Sequence, residues 1–443
     1  MERPAYHIIF WTRIIIMENK KFDVVIFGAT SFVGQIMTKH IAETIDKYPN
    51  LSWAIAGRSK DKLQTLKNEL GENFSKLNIF VCDAFDTQKL NKLCESTKVI
   101  ATTVGPYALY GEALIKACAN VGTHYCDLSG EAYWIKDMIV KYGKAAKQSG
   151  SKIVNCCGFD SIPSDLGVFE LQKYSKEKFG SYAHQIKLGV EKTKGGASGG
   201  TLASMIQAVI AAKQDPQLRK EMGNPYNLCP EFSENKLRQN RITSAKFDND
   251  YETWSAPFIM EAINTRVVLR SHLLSNKVYG EDFLYQEQML MGKGISGYLK
   301  SISLVLGIGL FALLVFLTPT RKLLQRFVLP QPGEGPSVEE QKNGFFKISL
   351  LGKIKEGKTV TLKVSGDTDP GYGCTAKMLT QSALCLAFDL NHNQKGGGFF
   401  TPATAMGGAL TERLQQYAGM KFCLLYTSPS PRDMRRSRMP SSA

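Results

Sequence analysis

The sequence predicts an α/β fold: a doubly wound domain on a parallel sheet, then a second, α+β domain. Three observations predict it. Near the start, Asp23-Val-Val-Ile-Phe-Gly28-Ala-Thr-Ser31-Phe-Val-Gly34 runs from β-branched residues through a glycine into a helical pattern of Val33, Ile36, Met37, His40, Ile41 and Ile45. Short, continuously apolar runs then alternate with helical stretches to about residue 165. Such runs indicate strands covered on both faces, which is how parallel sheets are built. Beyond them the pattern changes to paired strands, an uncharged apolar stretch and a glycine- and proline-rich linker.

The elements follow in order. Leu51–Ala56, Leu77–Cys82, Val99–Thr103, Thr123–Asp127 and Lys152–Cys156 read as the next five strands. A helix with Leu63, Leu66 and Leu70 on one side follows the second strand, and another runs from Tyr133 to Gly150, where glycine is a natural stop. Six strands in all make a Rossmann-type, dinucleotide-binding domain over residues 17–165. In Gly28-Ala29-Thr30-Ser31-Phe32-Val33-Gly34, Gly28 lets the chain turn and Gly34 lets the helix lie close on the sheet. A pyrophosphate would rest on the unpaired N–H groups opening that helix. The middle glycine of the usual pattern is Ser31 here, whose hydroxyl could itself donate to a phosphate oxygen.

The end of the second strand carries Arg58 and Ser59 rather than an acid. An acid would take a free ribose 2′-hydroxyl, whereas Arg58 suits a 2′-phosphate, so NADP(H) is expected over NAD(H). The alternative for Arg58 is a solvated surface turn. Topology sets Asp83 near the adenine ring, and Gly105, Pro106 and Tyr107 near the nicotinamide.

In the second domain, residues 166–422, Gln185–Lys192 and Arg266–Leu274 read as strands. Phe345–Leu351 and Lys358–Ser365 read as an antiparallel pair, and a final helix reaches Ala418. Gly195-Gly-Ala-Ser-Gly-Gly-Thr201 opens a helix to about Lys213, with Ser198 or Thr201 as its cap, and residues 331–336 form a linker. From Ser301 to Thr320 no residue is charged, while Lys293 and Lys300 lie on one side and Arg321, Lys322 and Arg326 on the other. As a helix, the apolar part 302–317 rises roughly 24 Å, short of the ~30 Å hydrocarbon core. It reads as a monolayer-inserted or monotopic anchor with snorkelling basic flanks. The alternative is a helix buried in the core or in a homodimer interface.

Composition narrows the class. A chain of 443 residues at 43% hydrophobic buries a sizeable core. Ten cysteines without paired spacing indicate a reduced, intracellular protein, and six isolated histidines offer no metal set. His124 reads as a core histidine. The net charge of +15 is dispersed, with no basic stripe interleaved with aromatics, so nucleic acid is not expected as a partner. Residues 1–16 lie outside the pattern, with Met17 as the expected native start. Residues 423–443 read as a non-native tail resembling translated adapter sequence.

Val104-Gly-Pro-Tyr107, Tyr110-Gly-Glu112, Tyr125-Cys-Asp-Leu-Ser-Gly-Glu131 and Gly158-Phe-Asp-Ser-Ile-Pro-Ser-Asp-Leu-Gly167 together resemble the saccharopine dehydrogenase-like oxidoreductases, a group related to bacterial trans-acting enoyl reductases. The resemblance continues through Pro257-Phe-Ile-Met260, Arg266–Ser271 and Phe400–Ala405. It implies a nicotinamide cofactor, a second α+β domain and, for animal members, lipid droplets, mitochondria or other membranes as addresses. Ser31 departs from the family's usual glycine.

Hydride transfer asks the protein mainly to place an electrophilic carbon against the nicotinamide and to supply a proton. Candidates near strand ends are Tyr107, Asp127, Asp160 and Ser161, with Tyr110, Glu131 and Asp165 nearby. Ser161 doubles as a helix N-cap, since Pro163 suits the first turn. The expected activity is NADP(H)-dependent hydride transfer to a C=C, C=O or C=N group of a small, lipid-related substrate at a membrane or droplet. The alternatives are a saccharopine-type amino-acid dehydrogenase and a non-catalytic membrane scaffold that keeps the cofactor fold.

Overall fold

The computed structural model describes residues 20–196, 199–232, 237–327, 335–390 and 396–425. The readings of the opening extension, of Ser198 as a cap, of linker residues 331–334 and of the tail beyond 425 lie outside the described residues. The first half builds β1 (Phe22–Phe27), α1 (Phe32–Glu43), β2 (Trp53–Gly57), α2 (Lys60–Glu69), β3 (Asn78–Val81), α3 (Thr87–Ser96), β4 (Thr97–Thr102), α4 (Tyr107–Tyr110), α5 (Glu112–Val121), β5 (His124–Cys126), α6 (Ala132–Ser149), β6 (Lys152–Val154) and α7 (Ile162–Phe179). The strands pair in parallel, with β1 central between β2 (Ile26 beside Ile55) and β4 (Val25 beside Ile100). β1 is fully buried, as its unbroken apolar run requires. Gly150 adopts the left-handed conformation and closes α6. His124 is a buried histidine whose Nδ1 accepts the Lys152 N–H.

The second half continues with β7 (Gln185–Lys194), α8 (Gly199–Gln214), α9 (Pro216–Met222), β8 (Lys246–Asp248), β9 (Thr253–Ala256), α10 (Glu261–Leu274), β10 (Leu284–Gly292), α11 (Gly294–Phe316), α12 (Thr318–Phe327), α13 (Val338–Lys342), β11 (Phe345–Lys353), β12 (Thr359–Gly366), α14 (Gly373–Phe388), β13 (Gly398–Phe400), α15 (Pro402–Ala405), α16 (Gly407–Tyr417) and β14 (Met420–Leu425). Its sheet runs β14-β12-β11-β7-β10-β9-β8, antiparallel except for β7 beside β10. The expected pair is β11 with β12, in register from Phe346 beside Gly366 to Lys353 beside Thr359. β14 runs three residues past the expected end at Phe422, with Cys423, Leu424 and Leu425 on β12.

Three expectations are corrected. The first sheet has seven strands, not six, because β13 returns from near the C-terminus and pairs in parallel with β6. α14 returns with it and packs on α1, β1, β4 and β5. The two units are therefore interleaved in sequence, and a cut at residue 165 does not separate them. Secondly, 266–274 is helix α10, not a strand. Almost every residue of α10 is buried, so no polar face marks its period, and Val267-Val268-Leu269 imitates a strand. Thirdly, the apolar helix α11 begins at Gly294, eight residues before Ile302, and its 23 residues rise about 34 Å.

α11 is not a core helix. Gly297, Ser301 and Val315 are its buried residues, and Tyr298 packs its ring on Trp254 at 4.7 Å. Ile295, Leu299, Leu306, Leu310 and Leu313 are exposed, Leu306 at 66%. The expectation of a helix buried within the chain is thereby overturned. Its last carbonyls are satisfied: Thr320 Oγ1 donates to Leu314 O, and Lys213 Nζ to Phe316 O.

Leu384, fully buried in α14, belongs to the same core cluster as Val24 and Ile26 of β1. Leu384→Ala should cost about 3 kcal/mol through the cavity it leaves. Urea unfolding checks this, and a loss under about 1 kcal/mol would show that α14 is peripheral to the first sheet.

Candidate functional site

The C-terminal ends of the parallel strands carry the candidate site, and the β1 turn is its most constrained part. Gly28 has φ +86°, and its N–H donates to Ala56 O at 2.9 Å. A Cβ at Gly28 would lie 2.6 Å from Val104 Cγ2, and one at Gly34 would lie 2.2 Å from Gly28 O. At Gly34 no side chain fits without moving backbone, and at Gly28 a side chain would displace Val104 and strain the positive φ.

Ser31 acts differently from the expectation. Thr103 Oγ1 donates to Gly28 O at 2.9 Å, which uses its only proton. At 2.8 Å from that oxygen, Ser31 Oγ must therefore donate to Thr103. The same oxygen accepts the Gly34 N–H at 3.0 Å and caps α1. Its proton is committed, so the hydroxyl is a brace and not a phosphate donor. Ser31 has φ −69°, which needs no glycine.

What the turn leaves open is backbone. Gly28, Ala29, Ser31 and Gly34 direct their N–H groups into the protein. Among the described residues none accepts from Thr30, Phe32 or Val33. Three free donors at the positive end of a 12-residue helix fit a dinucleotide pyrophosphate.

Arg58 is exposed at the end of β2, and no described residue pairs with its guanidinium. Ser59 caps α2 by accepting the Lys62 N–H at 3.4 Å. Asp83 is exposed, with one carboxylate oxygen on the Phe85 N–H at 3.0 Å. Phe85 is itself exposed against the Tyr110 ring at 5.7 Å. After Gly105 and Pro106, the Tyr107 phenol turns inward: it donates to Thr102 O at 3.1 Å and accepts the Leu128 N–H at 3.1 Å. That double use corrects Tyr107 as a proton donor and as a ring facing the cofactor; it ties β4 to the β5 loop.

The acids separate by their partners. Glu131 is buried and accepts the Tyr107 and Ala108 N–H groups, both at 2.8 Å, which caps α4. The Ser204 hydroxyl also donates to it at 2.8 Å. Asp127 is buried and saturated by Tyr125 Oη, Asn155 Nδ2 and the N–H groups of Ser129 and Cys156. Burial raises Asp127 to about 6, against those four bonds. Its bond to Cys156 N helps hold Cys156 at φ +63°, so Asp127 organises the loops rather than offering a proton. Ser161 precedes α7 without capping it; its hydroxyl donates to Asn264 Oδ1 at 3.2 Å. Asp165 is likewise taken, by Ser271 and the Ala403 N–H.

Asp160 differs. It is partly exposed, no described residue hydrogen-bonds its carboxylate, and burial alone raises it to about 6. Its Oδ2 faces Gly130, 3.8 Å from where a Cβ would stand. A titratable, uncommitted carboxyl beside the β5 and β6 ends is suited to supply a proton near neutral pH.

Sequence reading missed the residues that approach from the other sheet. Asn264 Nδ2 donates to Glu287 at 2.9 Å, and Tyr285 Oη also donates to it. Tyr372 packs edge-on against Phe32 at 4.8 Å. Tyr372 lies hundreds of positions from Phe32, and Asn264 and Glu287 sit on different elements, so no local pattern marks these contacts. A cavity of about 460 Å³ lined by Phe169, Tyr279 and Met406 lies beside the β13 edge, away from the Gly28 turn.

Arg58→Ala should weaken NADPH about tenfold or more and NADH hardly at all, because only the former offers a 2′-phosphate. Parallel fluorescence titrations measure this, and equal losses would refute it. Glu287 gives a pH prediction. Burial raises it to about 7 in the fold, against about 4.3 unfolded. The folded state holds the extra proton, so stability falls as pH rises through that window. Relative to wild type, Glu287→Gln should gain up to about 3 kcal/mol between about pH 5 and about pH 8. Urea unfolding at both pH values would show it, and a pH-independent difference would contradict it.

Comparison with known proteins agrees with the geometry. Residues 24–154 match the saccharopine dehydrogenase NADP binding domain. A Mycobacterium tuberculosis protein provisionally named a trans-acting enoyl reductase is 36% identical over 410 residues, covering 89% of this chain and 96% of that one. The trans-acting enoyl reductase of Mycobacterium ulcerans is 33% identical over 415 residues, covering 90% and 96%. Apo saccharopine dehydrogenase (L-Glu forming) from Saccharomyces cerevisiae shares the fold, with a TM-score of 0.50 at 11% identity over 91% of this chain and 100% of that one. The chain therefore belongs to the saccharopine dehydrogenase-like oxidoreductases, a family of NADP-binding enzymes that takes in the trans-acting enoyl reductases.

Proposed function

We propose that the protein reduces a C=C bond of a lipid-like substrate with NADPH while seated on a lipid monolayer or membrane surface. The observation that carries this reading is the outward-facing helix α11, uncharged from Ser301 to its end, attached to a cofactor-binding fold. The names of its relatives favour an enoyl substrate over a ketone or imine.

When bound, the cofactor would supply the hydride to the carbon acceptor. The chain's own residues do the rest. Thr30, Phe32 and Val33 would offer N–H groups to the pyrophosphate, and Arg58 would hold the 2′-phosphate. Ser31 and Thr103 brace the turn, and Asp160 holds the proton that completes reduction at the neighbouring carbon. An amino-acid substrate is less favoured, since it would need free arginines for its carboxylates. Arg270 is buried on Glu231 and on the Leu228 and Phe399 carbonyls, and Arg266 on Met222 O.

The anchor is monotopic in this reading. The first turns of α11 rest on β9 through Tyr298, Gly297 and Ser301, and α12 packs back against it with Leu323 and Phe327 exposed beside Arg321 and Lys322. Leaflet insertion with basic residues at the headgroups suits that shape. A lipid droplet or the outer face of a mitochondrial membrane offers such a surface inside the cell.

Wild-type protein should float with phosphatidylcholine vesicles, and the Leu306→Asp/Leu310→Asp double variant should stay in the aqueous fraction. In a parallel absorbance assay NADPH should be oxidised by a trans-2-enoyl thioester, and NADP+ should not be reduced by saccharopine. Equal flotation of both proteins would sink the membrane part. Reduction of NADP+ by saccharopine, with no oxidation of NADPH by the thioester, would sink the substrate part.

A further inference from the structure

Helix α8 joins the cofactor cleft to the lipid-facing helix at points that can be named. At its start, the Gly199 N–H donates to Tyr372 Oη at 2.9 Å. The Tyr372 ring meets Phe32, the first residue after the phosphate turn. Further along, the Ser204 hydroxyl donates to Glu131, which holds the N–H groups of Tyr107 and Ala108. At its far end, Lys213 Nζ reaches Phe316 O at 3.4 Å and lies 4.7 Å over the Phe316 ring. Phe316 closes α11.

Between those anchors α8 is unusual for a water-facing helix. No residue from Gly199 to Ala212 is charged. Among residues 202–212 only Ile206 is fully buried, so Leu202, Met205, Val209 and Ile210 are all partly open. A helix that is apolar all round is normally enclosed. Half-exposed, it leaves apolar surface whose burial contributes about 25 cal/mol per Å². The rise from Ser204 to Lys213 is about 14 Å.

We infer that α8 is the track along which the hydrocarbon chain of the substrate lies, its reacting end beside Glu131 and its tail emerging at Phe316. The proposal rests on the lipid-surface reading and names the ligand class as a long acyl chain with a compact, polar reacting end. Continuity selects this occupant: α8 meets the end of α11 where Lys213 caps Phe316, and reaches the phosphate turn through Tyr372 and Phe32 at the other end. A protein partner would have no reason to bridge those two places.

The probe is dansyl-undecanoate, with dansylglycine as the chainless control and no vesicles present. Wild type should enhance dansyl-undecanoate fluorescence and leave dansylglycine unchanged. Val209→Asp should weaken the long probe about tenfold or more, and Ala212→Glu should do the same if Val209→Asp lowers the unfolding temperature. Leu306→Asp/Leu310→Asp should bind the probe as wild type does, because those residues lie off the track. Equal affinity of Val209→Asp and wild type, or equal response to both probes, overturns the proposal. So does a wild-type dimer that Val209→Asp turns into monomer, since a second copy would then cover α8. Loss of flotation or of NADPH oxidation would instead count against the function above, because probe binding needs neither.

Discussion

The closure of the β1 turn against the end of β4 is the constraint on which the rest of the site depends. Gly28 O accepts from Thr103, Thr103 accepts from Ser31, and Ser31 accepts from the Gly34 N–H. Each hydroxyl has one proton, so the direction of the chain is fixed by stoichiometry. The effect is to turn every committed polar group inward and leave three backbone donors facing out. A glycine in place of Ser31 would bring the backbone closer to a phosphate but lose the brace. Placing the serine at the cap keeps the turn rigid at a conformation that serine tolerates.

Around that turn the two sheets are welded by elements that cross between them. β13 and α14 leave the second half of the chain and complete the first sheet, while α10 sets Asn264 against Ser161 and Ser271 against Asp165. Buried carboxyls lie among these crossing contacts: Glu287 and Asp165 are both raised by burial. Buried carboxyls of this kind are tolerated only while their hydrogen bonds hold. That requirement fixes how the second sheet sits over the strand ends, and so fixes where Asp160 is left uncommitted.

The apolar helices impose the opposite requirement. α11 and α8 leave hydrocarbon facing water, which a folded chain ordinarily avoids. In the function proposed above, a lipid phase and the chain of a substrate drawn from it would cover them. Cofactor site and lipid surface then become two ends of one structure rather than separate features.

Much of this was legible in the residues themselves. β1, its turn and α1 follow from a buried apolar run, one glycine with positive φ and a helical repeat, all local. The β11–β12 pair and the ends of α6 and α16 are local for the same reason. What the sequence could not determine depends on packing between distant segments. α10 looked like a strand because burial on all sides erases the helical period. β13 is three residues long and gains its identity only from β6. Ser31 carried the right chemistry for a phosphate contact and Tyr107, Asp127 and Ser161 for catalysis, yet the fold commits each hydroxyl, phenol or carboxyl to a structural bond and leaves Asp160 open. Residue type sets what a group can donate or accept; tertiary structure decides whether anything else in the molecule has already claimed it.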